Sequence, residues 1–66
     1  MQTYTQKMSF ERVCNLFKNH ADTLEHILKY CTIDAEITYF KYGYFQTVVV
    51  ELTSLDDVVQ CILKYK

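Results

Sequence analysis

The sequence contains no proline, no tryptophan and a single glycine, Gly43. One glycine excludes the P-loop, the dinucleotide-binding loop and the nucleophile elbow, because each of these motifs requires at least two. No apolar run approaches the roughly 18–20 residues that a membrane-spanning helix needs, and residues 1–8 lack the apolar segment of a signal peptide. We therefore expect a cytoplasmic protein with no membrane association.

The sequence also lacks an excess of charge of either sign. Seven basic and eight acidic residues give a formal net charge of −1. Such a chain presents no extended positive field to attract nucleic acid or an anionic membrane surface. Half of the residues are nevertheless hydrophobic, and six tyrosines and four phenylalanines are among them. This composition predicts a folded chain rather than a disordered one.

Residues typical of metal and catalytic sites are few. Cys14, Cys31 and Cys61 are an odd number without paired spacing, which predicts reduced thiols rather than a disulfide framework. Each falls on an apolar helical stripe, where cysteine behaves as a small hydrophobe. His20 and His26 are six residues apart and so on different faces of a helix, which excludes a local ligand pair. We expect no metal, cofactor, catalytic residue or small-molecule substrate. The alternative is a metal site that the fold assembles from His20, His26 and a cysteine.

The length of 66 residues allows one domain, spanning residues 1–66. A chain this short buries only about 60% of the surface that its unfolded form exposes. Below roughly 70–80 residues a domain usually needs disulfides, a metal, oligomerisation or unusually good packing. The size therefore raises the expectation of contact with another chain.

Two amphipathic helices are predicted in the first half. The first follows Ser9 as its N-cap and has apolar residues at i, i+3, i+4 and i+7 from Phe10. Asn19 and His20 are weak helix formers and predict an end or a kink. The second is predicted to begin at Asp22, with a capping-box spacing to Glu25 and a stripe that ends at Cys31: Leu24, Ile27, Leu28 and Cys31.

A third helix is predicted at the end of the chain, capped by Thr53 or Ser54. Asp56 and Asp57 in its first turn complement the helix dipole. Its apolar arc is wider than the roughly 100° that a one-sided surface helix needs. We expect either that the helix lies between the hairpin and the other helices, or that part of it contacts another chain.

Residues 35–41 and 44–52 are rich in β-branched and aromatic types and predict a β-hairpin. A two-residue turn at Tyr42-Gly43 separates the apolar and polar residues onto two faces, whereas a three-residue loop mixes them. Since a one-residue slip moves every side chain to the other face, we predict the two-residue turn. A type I′ turn requires positive φ at Tyr42, where asparagine is preferred.

The segment 2–7 contains Thr3, Tyr4 and Thr5, which favour a strand. It is predicted to add a third strand to the hairpin, because an isolated hairpin is marginally stable. The predicted fold is therefore a small two-layer α+β domain of order (β)ααββα, with three helices on one face of an antiparallel sheet.

Aromatic residues surround the predicted hairpin turn. Proteins that bind single-stranded nucleic acid stack bases on strand aromatics flanked by cations. Here Lys41 is the one cation of the turn, while Glu36 and Glu51 lie on the same face of the predicted hairpin as Phe40 and Phe45. Because electrostatics supply most non-specific affinity for nucleic acid, a nucleic-acid-binding module is the alternative hypothesis.

We expect a non-enzymatic protein-binding or regulatory protein that docks on another protein, forms a homodimer, or both. Exposed apolar patches with a polar rim are typical of protein interfaces. Proteins of this size are often inhibitors of a host or cellular protein, including those carried by phages. The predicted partner-binding residues form one set on the hairpin and one on the third helix: Phe40, Tyr42, Tyr44, Phe45 and Val49, and Val58, Cys61 and Tyr65.

Overall fold

A computed structural model of the chain describes residues 4–65. Three helices and three strands follow one another in the order β-α-α-β-β-α, which confirms the predicted α+β fold. The elements are β1 (Tyr4–Ser9), α1 (Phe10–Asn19), α2 (Ala21–Tyr30), β2 (Cys31–Lys41), β3 (Tyr44–Leu52) and α3 (Leu55–Tyr65).

The sheet has the order β1-β2-β3, with the longest strand in the centre. β1 is the predicted third strand, and residues 2 and 3 of that prediction lie outside the described residues. The prediction of an antiparallel sheet is wrong, because β1 pairs parallel to β2 while β3 pairs antiparallel to it. The chain passes from β1 through two helices before β2, which is the long crossover that a parallel pair requires.

The predicted hairpin register is confirmed over its whole length. Lys41 pairs with Tyr44 and Phe40 with Phe45, and the pairing continues without interruption to Ile33. The turn residues Tyr42 and Gly43 have φ values of 56° and 87°. Both values match a type I′ turn, whose twist suits the flanking strands.

The start of α1 and the break after it agree with the sequence. The Ser9 hydroxyl accepts a hydrogen bond from the Arg12 N–H at 3.2 Å, so Ser9 is the N-cap of α1. His20 then separates α1 from α2, and it is the N-cap residue of α2 without a side-chain bond. The predicted capping box at Asp22 is therefore wrong: α2 begins one residue earlier, and Asp22 lies in its first turn, where its charge complements the helix dipole.

The predicted helical position of Cys31 is also wrong, because this residue begins β2. Its Sγ still contacts α2, because it donates a hydrogen bond to the Ile27 carbonyl at 3.1 Å. β2 thus starts four residues before the predicted Ala35, with no loop between helix and strand.

Helix α3 begins after the predicted Ser54 cap, whose hydroxyl accepts a hydrogen bond from the Asp57 N–H at 3.3 Å. The Asp57 carboxylate in turn accepts from the Thr53 hydroxyl at 2.6 Å and from the Thr53 N–H at 3.0 Å. These Thr53 bonds favour the ionised carboxylate and hold the pKa of Asp57 below its ordinary value. Both predicted cap residues therefore take part in starting the helix.

One face of the sheet, called here the inner face, packs against all three helices. No polar or charged side chain is buried within residues 4–65. The core consists of apolar side chains from every element: Met8, Val13, Leu24, Leu28, Ile33, Ala35, Ile37, Leu52, Val58 and Cys61.

Candidate interaction surface

The opposite face of the sheet, called here the outer face, is not covered by the helices. Its side chains alternate with the buried ones along each strand, as the period of two requires. All of them are exposed or half-buried. The outer face consists of Thr5, Lys7 and Ser9 from β1, Thr32, Asp34, Glu36, Thr38 and Phe40 from β2, and Phe45, Thr47, Val49 and Glu51 from β3.

Two phenylalanines lie at the hairpin end of the outer face. Phe40 and Phe45 are cross-strand partners, and their rings meet edge to face with centroids 5.2 Å apart. Phe40 is 63% exposed and Phe45 is 72% exposed. The rings therefore contact each other while most of their apolar surface remains in water.

Val49 lies on the same face but not beside the two rings. Thr38 and Thr47 form the intervening row, and their hydroxyl oxygens are 3.0 Å apart. Four residues along a strand correspond to roughly 14 Å between Phe45 and Val49. The three predicted apolar residues of this face are thus all exposed, but they form two separate groups on one chain.

The hairpin tip, defined as residues 40–45, carries two further predicted residues. Tyr42 is the most exposed large hydrophobic residue of the described chain at 81%, and the Lys41 ammonium lies 5.1 Å from its ring centroid. Tyr44 is held in place by its hydroxyl, which accepts a hydrogen bond from Gln46 Nε2 at 3.0 Å. The same amide accepts through Oε1 from the Tyr39 hydroxyl at 2.9 Å. The tip therefore presents four aromatic side chains.

The predicted second surface on α3 is corrected by the structure. Val58 and Cys61 are buried in the core, and Tyr65 is half-buried with its ring 5.4 Å from that of Tyr39 and 6.5 Å from that of Phe10. The wide apolar arc of α3 arises because this helix packs against β3, α1 and α2 together. Its exposed apolar residue is instead Leu63.

Burial also determines the chemistry of Cys61. Desolvation raises the pKa of its thiol, and the nearby Cys14 adds to this effect. A raised pKa keeps the sulfur protonated, which opposes reaction as a nucleophile.

The charges of the outer face are mainly acidic. Asp34 lies in a row between Lys7 and Glu51, and Glu36 lies opposite Val49. Among residues 4–65, no group of three or more His, Cys, Asp and Glu side chains could hold a metal ion. The outer face thus offers apolar contact at one end and negative charge at the other.

Two surface features are absent from the sequence-based prediction. A groove of about 390 Å³ lies between β1 and α2 and is lined by Tyr4, His26 and Tyr30. Nothing in the sequence pattern indicates it, because it depends on how β1 docks. The second is the outward edge of β3. The sequence does indicate this feature, because residues 44–52 contain neither proline nor lysine, which commonly protect edge strands.

Comparison of the chain with protein-family models, curated proteins and solved structures finds no match. In the described part of the chain, no helix has both the length and the apolar character needed to cross a membrane.

Proposed function

We propose that this chain is a non-enzymatic binding protein that attaches to another protein through its hairpin tip. The observation that carries the proposal is the packed but exposed ring pair of Phe40 and Phe45 on the uncovered sheet face. Full burial of a phenylalanine side chain contributes about 1.5–3 kcal/mol of favourable free energy. Most of this is not realised in the isolated fold, because the two rings remain largely exposed. Aromatic residues are enriched at protein interfaces for this reason.

The backbone at Tyr42 supports the same proposal. A non-glycine residue in the left-handed region costs roughly 1–2 kcal/mol, and asparagine would fit this turn position better. Tyr42 contributes nothing to the core to offset that cost, since it is 81% exposed. Strained residues of this kind cluster at functional sites, and contact with a partner accounts for a tyrosine here.

The charges of the outer face favour a protein partner over nucleic acid. Three carboxylates, from Asp34, Glu36 and Glu51, share that face with the single amine of Lys7. A phosphate backbone would be repelled there. In this proposal the partner contributes an apolar pocket for the tip. If that pocket belongs to a functional site of the partner, binding of the tip inhibits the partner.

Lysate capture with a paired substitution tests the proposal. Phe40→Thr with Phe45→Thr continues the existing threonine row and removes both rings, and Leu63→Gln removes an equally exposed apolar side chain from α3. The immobilised wild type and the Leu63 variant should retain the same partner protein in equal amount. The double variant should retain at least tenfold less of it.

Equal retention by all three proteins contradicts the proposal. A titration with single-stranded oligonucleotides tests whether the partner is nucleic acid instead of protein. Tight binding that weakens steeply with added salt would assign the tip to nucleic acid instead.

A further inference from the structure

Among residues 4–65, β3 is an edge strand that pairs only with β2, so its outward backbone groups have no strand partner. In the type I′ turn, the Tyr44 N–H faces the Lys41 carbonyl, so these two residues form a hydrogen-bonded pair. Hydrogen-bonded and non-hydrogen-bonded pairs alternate along an antiparallel ladder. The backbone N–H and C=O groups that face away from β2 are therefore those of Phe45, Thr47, Val49 and Glu51, whose side chains all lie on the outer face.

This edge lacks the features that normally prevent strand addition. Edge strands are usually protected by proline, lysine, bulges or short length. β3 has nine residues, its register with β2 is uninterrupted, and its sequence contains no proline or lysine. The other edge strand, β1, has six residues and carries Lys7. Only the β3 edge is thus long, regular and largely apolar among the described strands.

We infer that two copies of the chain pair antiparallel along β3 and form a continuous six-stranded sheet. The two-fold axis passes beside Thr47, which lies opposite Thr47 of the second copy. Phe45 then lies opposite Val49 of the second copy, and Val49 opposite Phe45. All six edge groups of Phe45, Thr47 and Val49 find a complementary group on the second copy, because paired residues on antiparallel strands exchange both hydrogen bonds.

The spacing of the apolar residues identifies the second copy as the occupant. Phe45 and Val49 lie two residues on either side of Thr47, so the edge is complementary to itself under a two-fold rotation. Pairing brings Val49 of one copy beside the Phe40–Phe45 ring pair of the other. The two separate apolar groups of the monomer become one apolar row at each end of the dimer.

Other registers are less favourable. A two-fold axis at Val48 keeps each side chain on its own face but places Phe45 opposite Glu51 of the second copy, which puts a carboxylate against an aromatic ring. Pairing of β3 with β1 of another copy would leave further edges free and would continue into an open filament. The two-fold pairing at Thr47 closes with two chains and leaves Glu51 outside the paired segment.

The inner face of the same edge accommodates the pairing. A groove of about 210 Å³ runs between β3 and α3, and its lining includes Val50, Gln60 and Lys64. In the proposed register, Tyr44 of the second copy lies opposite Val50 and so above this groove. The amphipathic ring of tyrosine suits a groove with both apolar and polar walls.

Mass in solution tests the inference on the whole chain. Sedimentation should give twice the chain mass of 7.9 kDa for the wild type. Val49→Pro removes an N–H that faces the free edge and leaves the ladder with β2 intact, so this variant should sediment at 7.9 kDa with unchanged circular dichroism. Glu36→Lys, opposite Val49 on the central strand, is the control and should remain dimeric.

Cross-linking tests the register without depending on the fold of a proline variant. Thr47→Cys should give a disulfide-linked dimer with oxidised glutathione, because Cα atoms in a hydrogen-bonded pair are about 5.5 Å apart. Thr38→Cys lies in the same row but three strand spacings from its counterpart, roughly 14 Å, and should not cross-link above the wild-type background.

A monomeric wild type, or equal cross-linking of the two cysteine variants, overturns the inference. Backbone pairing does not require the hairpin tip to bind another protein. Equal lysate capture by all three proteins and a monomeric wild type are therefore separate outcomes, and each contradicts only its own proposal.

Discussion

Tyr42 and Gly43 share positive φ angles of 56° and 87°, but the two residues differ in how well they tolerate them. Glycine has no Cβ and adopts such angles without steric cost. A Cβ at position 43 would meet no atom within 4 Å, so any penalty there comes from the backbone alone. The effect of a substitution at position 43 on stability therefore reports backbone strain without a contribution from packing.

Tyr42→Asn is expected to stabilise the fold by about 1 kcal/mol, because asparagine tolerates the left-handed region that tyrosine enters at a cost. Gly43→Ala is expected to destabilise it by a similar amount, about 1 kcal/mol, for the reverse reason. Urea denaturation of both variants beside the wild type measures these changes. If Tyr42→Asn lowers stability, the tyrosine ring has a structural role, and strain at Tyr42 no longer supports partner binding.

At the scale of the elements, the start of α3 makes stability depend on pH. Asp57 accepts two hydrogen bonds from Thr53, and its pKa lies below the ordinary value of 3.8. A carboxylate with a lowered folded pKa contributes stability that is present above the unfolded pKa and is lost as the pH falls through the folded pKa. This contribution should therefore be complete above about pH 5 and disappear in acid.

Asp57→Asn should lower stability near neutral pH and should flatten the pH dependence below about pH 4 relative to the wild type. Asp56→Asn is the matched control, since Asp56 lies in the same first turn and Thr53 bonds to its neighbour. Thermal denaturation from pH 2 to pH 7 measures the effect. Identical pH profiles for the Asp57 variant and the wild type would show that the Thr53 bonds do not stabilise the helix.

Local patterns were sufficient to predict the hairpin register, the start of α1 and the break between α1 and α2. The register followed from the period of two in residues 35–52, because only one turn length keeps Ile37 and Val48 on the face opposite Phe40. The Ser9 cap and the break at His20 are likewise encoded by adjacent residues. These features depend on neighbours in the sequence, so periodicity and capping rules are enough.

Features that depend on distant contacts could not be predicted from the sequence. β1 is mainly polar, with Met8 as its buried residue, so its parallel pairing is decided by the α1–α2 crossover rather than by its own pattern. Cys31 continued the stripe of α2, yet the chain turns there into β2. Val58 and Cys61 looked available for a partner because the sequence does not show that α3 packs against three other elements.

At the scale of the whole molecule, the two faces of the sheet have different compositions. The inner face packs against the helices, and its Ile33, Ala35 and Ile37 side chains are buried. The outer face combines threonines and carboxylates with a few exposed apolar side chains, which the fold does not use. We attribute stability to the first face and binding to the second.

The unfolding free energy of the Phe40→Thr, Phe45→Thr double variant tests this division most directly. If the rings belong to a binding surface, their removal should cost about 0.5–1.5 kcal/mol, the worth of one aromatic pair, with an unchanged denaturant slope. Loss of about 3–5 kcal/mol for each of the two rings, typical of truncated core phenylalanines, or loss of cooperative unfolding, would show instead that the rings belong to the core.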